Sequence, residues 1–266
     1  MLYIIKYALN KGVLYNIMST VIQESYKLPS LGKVYDVEVN PEITLRSMTT
    51  ADEMKRLGSS EKRYKLMSEI IDDCMTENPG ISSYDMCIGD YQFLLHKLRI
   101  VTYGPEYDVV SQCPYCGALS RGTINLEELP VNEFSEDIYD LMEFDLPRTK
   151  KHIKLRLQTP HMIDSVLSQI KDFQKRAPSF VGDSAVLFNI KALIAEIDGE
   201  KPNPMYIEDT IKNLPMMDSN YIIRKGQKLN DAIGLDTTLD NTCEVCGLSY
   251  PSNFRPGSDF FGPEID

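Results

Sequence analysis

The chain lacks the short patterns that accompany most enzyme chemistries. It has no Walker phosphate loop, no Gly-x-Gly-x-x-Gly, no nucleophile elbow and no His-Glu-x-x-His, and it holds only three histidines. Acidic neighbours such as Asp72-Asp73, Glu127-Glu128 and Asp137 with Asp140 read as solvated faces, so no catalytic residue is assigned. Positive charge is scarce as well. Against 39 Asp and Glu there are 28 Lys and Arg, giving a net charge of −11. The densest basic stretch, Arg148-Thr149-Lys150-Lys151-His152, is too short to neutralise a phosphate backbone, so a protein partner is expected and nucleic acid is not. Long apolar runs are missing too: Met1–Ile22 is interrupted by Lys6, Asn10 and Lys11, short of the roughly 20 apolar residues of a membrane span. That stretch carries no secretory pattern and reads as an amphipathic starter helix or a lead-in.

What is present is an ordinary core and an unusual set of cysteines. With 266 residues and 42% apolar content, the chain can bury a core without help from metal or disulfides. Six cysteines without a secretory signal suggest a reducing compartment and metal or buried-thiol roles. Four of them form two like turns, Cys113-Pro114-Tyr115-Cys116-Gly117 and Cys243-Glu244-Val245-Cys246-Gly247. A Cys-x-x-Cys turn presents two thiolates to one metal, and the following glycine permits the positive φ that turns backbone amides towards the sulfurs. Cys113, Cys116, Cys243 and Cys246 are therefore the expected ligands of one structural Zn²⁺, closing a ribbon with 126 residues between Cys116 and Cys243. Ribbons commonly have about 15–20 there, so this insert must fold as an excursion whose ends return together.

Other readings compete with zinc. Cys113-Pro114-Tyr115-Cys116 matches the glutaredoxin redox motif, which needs its first cysteine at a helix N-terminus; Gly117, Ser120, Gly122 and Thr123 suit a turn and strand better. A zinc deaminase would need His-x-Glu and a Pro before the first cysteine; no histidine fits, and residue 112 is Gln. A ribbon without metal stays open. Cys74 and Cys87, with no Cys-x-x-Cys partner, read as buried thiols, and His96 as a surface or structural histidine.

Periodicity predicts an α+β chain: zinc-ribbon β-hairpins, a large and mainly helical insertion, and an N-terminal strand and helix region. Strands are expected at Val34–Val39, Pro41–Arg46, Leu141–Leu146 and Ile153–Leu157. A capping box at Thr50-Ala51-Asp52-Glu53 starts a helix that Gly58-Ser59-Ser60 breaks. A second helix carries Tyr64, Met67, Ile70, Ile71, Cys74 and Met75 as far as Asn78-Pro79-Gly80. Asp90 is expected to cap a third, with Leu94, Leu98 and Val101 on one face and Gly104 at its end. In the insert, Val166, Leu167, Ile170 and Phe173 form one helical stripe and Val186 through Ile197 another. A short helix follows at Ile207–Leu214, and Asp218 starts one ending at Ile233-Gly234. The resulting division is 1–26 lead-in, 27–104 strand and helical region, 105–158 first knuckle and β region, 159–234 helical insertion, and 235–266 second knuckle and aromatic tail.

Several pieces occur in an order that resembles the baseplate proteins of T4-like bacteriophages. They are Leu28-Pro29-Ser30-Leu31-Gly32 with Tyr35, the run from Gly89 to Gly117, Leu214-Pro215-Met216-Met217-Asp218 with Tyr221-Ile222-Ile223, Gly234, the second cysteine pair, and Asp259-Phe260-Phe261-Gly262-Pro263. The resemblance covers residues 28–263 and leaves Met1–Tyr26 outside. It implies a structural or assembly component of the tail baseplate, acting at the central hub, with other tail and hub proteins as partners and no enzymatic activity. The place implied is the host cytoplasm during assembly, or the virion's tail baseplate. A zinc-ribbon adaptor of a transcription complex and a thiol oxidoreductase working through Cys113 are the alternatives.

Overall fold

The computed structural model describes residues 21–203, 206–254, 256 and 260–262. The expected starter stretch Met1–Ile22 lies outside them except for its last two residues, and the 1–26 lead-in except for residues 21–26; Asp259 and Pro263 of the aromatic tail lie outside as well. Eight helices and five small antiparallel sheets make up the mixed architecture of the described residues. None of the helices is long and apolar enough to cross a membrane.

Strands β1 (Gln23–Lys27) and β2 (Glu42–Arg46) pair with Gln23 opposite Arg46 and Lys27 opposite Glu42. Helices α1 (Thr50–Arg56), α2 (Arg63–Cys74) and α3 (Ile88–Tyr103) follow. The capping box of α1 sits one residue earlier than the sequence pattern suggested: Thr49 is the N-cap, and the Asp52 carboxylate accepts the Thr49 amide at 2.7 Å. Helix α2 stops at Cys74, short of the Asn-Pro-Gly turn, because Met75 is extended and bridges to Leu45. The segment Val34–Val39 is turns and bends, not a strand. Its Tyr35 hydroxyl is drawn inward to donate to the Asp90 carboxylate at 2.6 Å.

Helix α3 is the central beam. Leu94, Leu98 and Val101 bury against Ile43, Leu45, Ile70 and Ile71 in a first core. His96, on the other side, is also buried, because Phe254 and Phe260 close over it edge-on with ring centres 5.8 and 5.1 Å away.

Next come the hairpin β3 (Glu106–Gln112) and β4 (Leu119–Asn125), the short β5 (Val131–Asn132), α4 (Ile138–Met142), β6 (Glu143–Asp145) and β7 (His152–Leu155). The expected strand Leu141–Leu146 is thus a helix end followed by a shorter strand. The insertion continues with α5 (Pro160–Arg176), α6 (Ala185–Leu193), β8 (Ile194–Ile197), α7 (Ile207–Lys212) and α8 (Met216–Asp231). The apolar stripe expected to run from Val186 to Ile197 as one helix breaks at Leu193. Its β-branched end becomes β8, which pairs with β7 in a three-stranded sheet β6-β7-β8. Leu146, Ile153, Leu155, Ile190, Leu193 and Ile222 gather there into a second core. Strand β9 (Gly234–Leu235) pairs back to β5, and the hairpin β10 (Thr238–Thr242) and β11 (Ser249–Asn253) completes the order.

Two buried aspartates do more than start helices. Asp90 and Asp218 each occupy the first turn of their helix and accept donors from a remote loop. Asp90 takes the Ser30 amide at 2.9 Å and the Ser30 and Tyr35 hydroxyls; burial raises its carboxyl above the usual range in spite of these bonds. Asp218 takes the Arg148 and Thr149 amides, both at 2.9 Å, and the Thr149 hydroxyl at 2.8 Å. Burial opposes its ionisation, and those three donors outweigh it, so this carboxyl lies below the usual range.

The two cores meet backbone to backbone. A Cβ on Gly89 in α3 would lie 2.1 Å from the Ile233 carbonyl oxygen, and one on Gly234 would lie 2.8 Å from the Gly89 Cα. Only two glycines allow the end of the insertion to seat this closely on the beam.

Candidate metal centre

Each cysteine knuckle is a tight turn at the tip of a hairpin. Strands β3 and β4 pair from Glu106 with Asn125 up to Gln112 with Leu119, and β10 and β11 from Thr238 with Asn253 up to Thr242 with Ser249. The same two bonds close both turns. The Cys113 amide donates to the Ala118 carbonyl at 2.8 Å and the Gly117 amide to the Cys113 carbonyl at 2.9 Å. In the second knuckle, Cys243 donates to Leu248 at 3.0 Å and Gly247 to Cys243 at 2.8 Å. Gly117 and Gly247 have φ of +75° and +72°, and no heavy atom lies within 4 Å of a Cβ built on either. Glycine is therefore required by conformation and not by crowding.

The insertion returns the second turn to the first. Cys113 Sγ lies 3.7 Å from Cys246 Sγ, Cys116 Sγ lies 3.6 Å from Cys243 Sγ, and all four sulfurs fall within 4.8 Å of one another. A disulfide would bring a pair to about 2.0 Å. A tetrahedral ion with bonds of about 2.3 Å sets its sulfurs roughly 3.8 Å apart. The four are free thiols at coordination spacing, the first of each turn buried and the second exposed. The four-residue set predicted from the sequence is thus brought together in full.

Backbone dipoles and crowding act on the thiols in opposite directions. The amides of Cys246 and Val245 aim at the Cys243 sulfur and lower it to about 7. At Cys116 the Ala118 amide also pulls down, but the neighbouring sulfurs and desolvation prevail and hold it up at about 12. A cation at the centre of the four sulfurs would take the place of the protons they share.

Little apolar material supports this end of the molecule. Cys113, Cys243 and Tyr250 form its buried cluster, with Ala118 against them. The Tyr250 hydroxyl and the Ser111 hydroxyl share a hydrogen bond of 3.0 Å between the two hairpins, a link for which the sequence offered no periodic signal. The chain leaving Cys116 runs into β4 and not into a helix, so the helix N-terminus that glutaredoxin chemistry requires beside Cys113 is not there. Cys74 and Cys87 are buried and lie apart from the cluster; burial raises both thiols to about 12.

The family model described as T4 bacteriophage base plate protein matches residues 20–262. No curated protein and no solved structure matches the chain. The match begins ahead of Leu28, so β1, set aside with the lead-in by the sequence resemblance, falls inside the family's span. Nearly the whole chain, with both hairpins and the insertion between them, is covered: this protein belongs to the T4-like bacteriophage baseplate family.

Proposed function

We propose that this chain is a structural or assembly component of the phage tail baseplate, acting at its central hub, and that one Zn²⁺ held by Cys113, Cys116, Cys243 and Cys246 clasps two remote segments of it together. The observation that carries the clasp is the mutual spacing of the four sulfurs, which suits a single tetrahedral ion. A closed four-thiolate site leaves no position for water, so the ion's contribution is to hold the hairpins and not to activate a substrate. The family match carries the baseplate assignment, and an acidic chain without a catalytic motif is consistent with it. Its partners are other tail and hub proteins, met in the host cytoplasm during assembly or in the tail baseplate of the virion. Metal analysis of the purified protein is expected to give one zinc per chain; a folded, metal-free protein with both hairpins ordered would overturn the clasp. Capture from infected cells is expected to bring down tail proteins. Recovery of polymerase subunits in their place would favour a transcription adaptor.

A further inference from the structure

The groove between the two hairpins, about 470 Å³, is walled on one side by the run Tyr107–Gln112 of β3 and on the other by Leu239, Ser252, Asn253 and Phe254. Strand β4 does not line it, so the groove follows the outer edge of β3. The register fixes which backbone groups face it. The Cys113 amide donates to the Ala118 carbonyl and the Leu126 amide to the Pro105 carbonyl. Bonded pairs recur at every second residue of an antiparallel ladder. Tyr107, Val109 and Ser111 therefore bond β4, and Asp108, Val110 and Gln112 turn their N–H and C=O groups outward. Glu106 faces outward too, and its carbonyl accepts from the Arg99 guanidinium at 3.3 Å. Past that point, among the described residues, no donor or acceptor meets the backbone of Asp108, Val110 or Gln112.

Open strand edges are usually closed by proline, lysine, a bulge or a covering element. The second hairpin is closed in this way. Its bonded pairs, Cys243 with Leu248 and Thr237 with Phe254, leave Ser249, Pro251 and Asn253 facing away from β10, and Pro251 has no N–H to offer. Strand β3 has no proline, lysine or bulge, and its Val110 side chain is 63% exposed.

We infer that the outer edge of β3 accepts an extended segment of a partner protein as an added strand. An extended peptide supplies acceptors and donors at the two-residue spacing of Asp108, Val110 and Gln112, and about five to seven residues cover that edge. Its side chains alternate between two surroundings. One set joins the face of Tyr107 and Val109 against Leu239 and Phe254, and this set is apolar. The other set lies beside Asp108 and Val110, where the carboxylates of Glu106 and Asp108 favour a lysine or arginine. The inference does not rest on the baseplate assignment, and zinc content measured on the same sample separates loss of the clasp from a failure at the edge.

The test is amide hydrogen exchange, resolved by residue, on the full-length, metal-replete protein with and without the capped heptapeptide Thr-Val-Lys-Val-Thr-Val-Thr. At a peptide concentration of ten times Kd, the Asp108, Val110 and Gln112 amides should exchange about tenfold more slowly, while Tyr107, Val109 and Ser111 change little. This alternation needs no variant to fold. The twin Thr-Val-Glu-Val-Thr-Val-Thr should bind about threefold to fivefold more weakly. Val110→Pro removes an outward N–H that β4 does not use; with zinc content and circular dichroism unchanged, it should weaken binding by at least about tenfold. No slowing, equal slowing of all six amides, equal binding of the glutamate twin, or full binding by Val110→Pro would each overturn the inference. Alternate protection already present in the protein alone would also overturn it: loss on dilution would mark a second copy as the occupant, and loss on removal of residues 1–20 would mark this chain's own lead-in.

Discussion

The beam region and the cysteine end of this molecule are held together by different forces. Around α3, side chains such as Leu28, Leu45, Ile70, Leu94 and Leu98 are fully buried, and their removal from water is the dominant stabilising term. At the cysteine end the buried cluster is two cysteines and one tyrosine, while Val110, Tyr115, Leu119 and Val245 stand in solvent. Two-stranded hairpins of this kind are marginal in water without a face to bury. The first region is stable because it excludes water; the second needs a bond to something else.

The sharpest way to break this comparison is to remove two of the proposed metal ligands. Cys113→Ser with Cys116→Ser should abolish zinc binding, an interaction of about 10–16 kcal/mol in small structural sites. Hydrogen exchange should then show amides of β3, β4, β10 and β11 losing protection while those of α3 and α6 keep theirs. Collapse of all of them together would mean that the two regions are not separable.

The seam between the cores comes next. Gly89→Ala places a methyl where the Ile233 carbonyl already sits, so the insertion must shift off the beam. A loss of about 3 kcal/mol, at the upper end for overpacking, is expected in chemical denaturation, with zinc content unchanged. Asp218→Ala should cost about 1–3 kcal/mol, because the amides of Arg148 and Thr149 lose their acceptor. That loss belongs to the second core, and thermal melting should show it without a change at the cysteine end.

The smallest effects lie at α1. Thr49→Ala should cost about 1 kcal/mol by removing the cap. Acid offers a further test there. The Arg46 guanidinium bonded to Asp52, with Thr49 adding to it against the opposing effect of burial, holds this carboxyl well below the ordinary range. A depressed carboxyl contributes stability above its unfolded pKa, near the ordinary 3.8, and loses it as pH falls below that value. Denaturation at pH 7 and pH 3 should therefore show a larger loss in the natural protein than in Asp52→Asn. Equal losses would remove the ion pair from the account.

The sequence made some of this legible and hid the rest, for physical reasons. The paired Cys-x-x-Cys-Gly turns are readable because a tight turn with a positive-φ glycine fixes both residue type and spacing. The stripe of α3 is readable because its apolar period matches a helix with one face on the core. Strand β1 escaped because Gln23-Glu24-Ser25-Tyr26-Lys27 is largely exposed and carries no apolar alternation. The break at Leu193 escaped because an unbroken apolar run satisfies a buried helix and a buried strand alike. Asp90 and Asp218 were expected as helix caps and lie instead in the first turn, behind the N-caps Cys87 and Pro215; their partners are 60 and about 70 positions away, and no local pattern points that far. The pairing of β5 with β9 is hidden for the same reason: two residues on each side give no periodicity.

The separation of the two knuckles also sets an order of events in time. Between Cys116 and Cys243 the ribosome must add 126 residues, roughly 6–25 s of synthesis at about 5–20 residues per second. Throughout that interval the first thiol pair is made and its counterpart does not yet exist. The insertion has time to fold before the hairpins can join, so closure of the cysteine end follows synthesis of every residue of the second core.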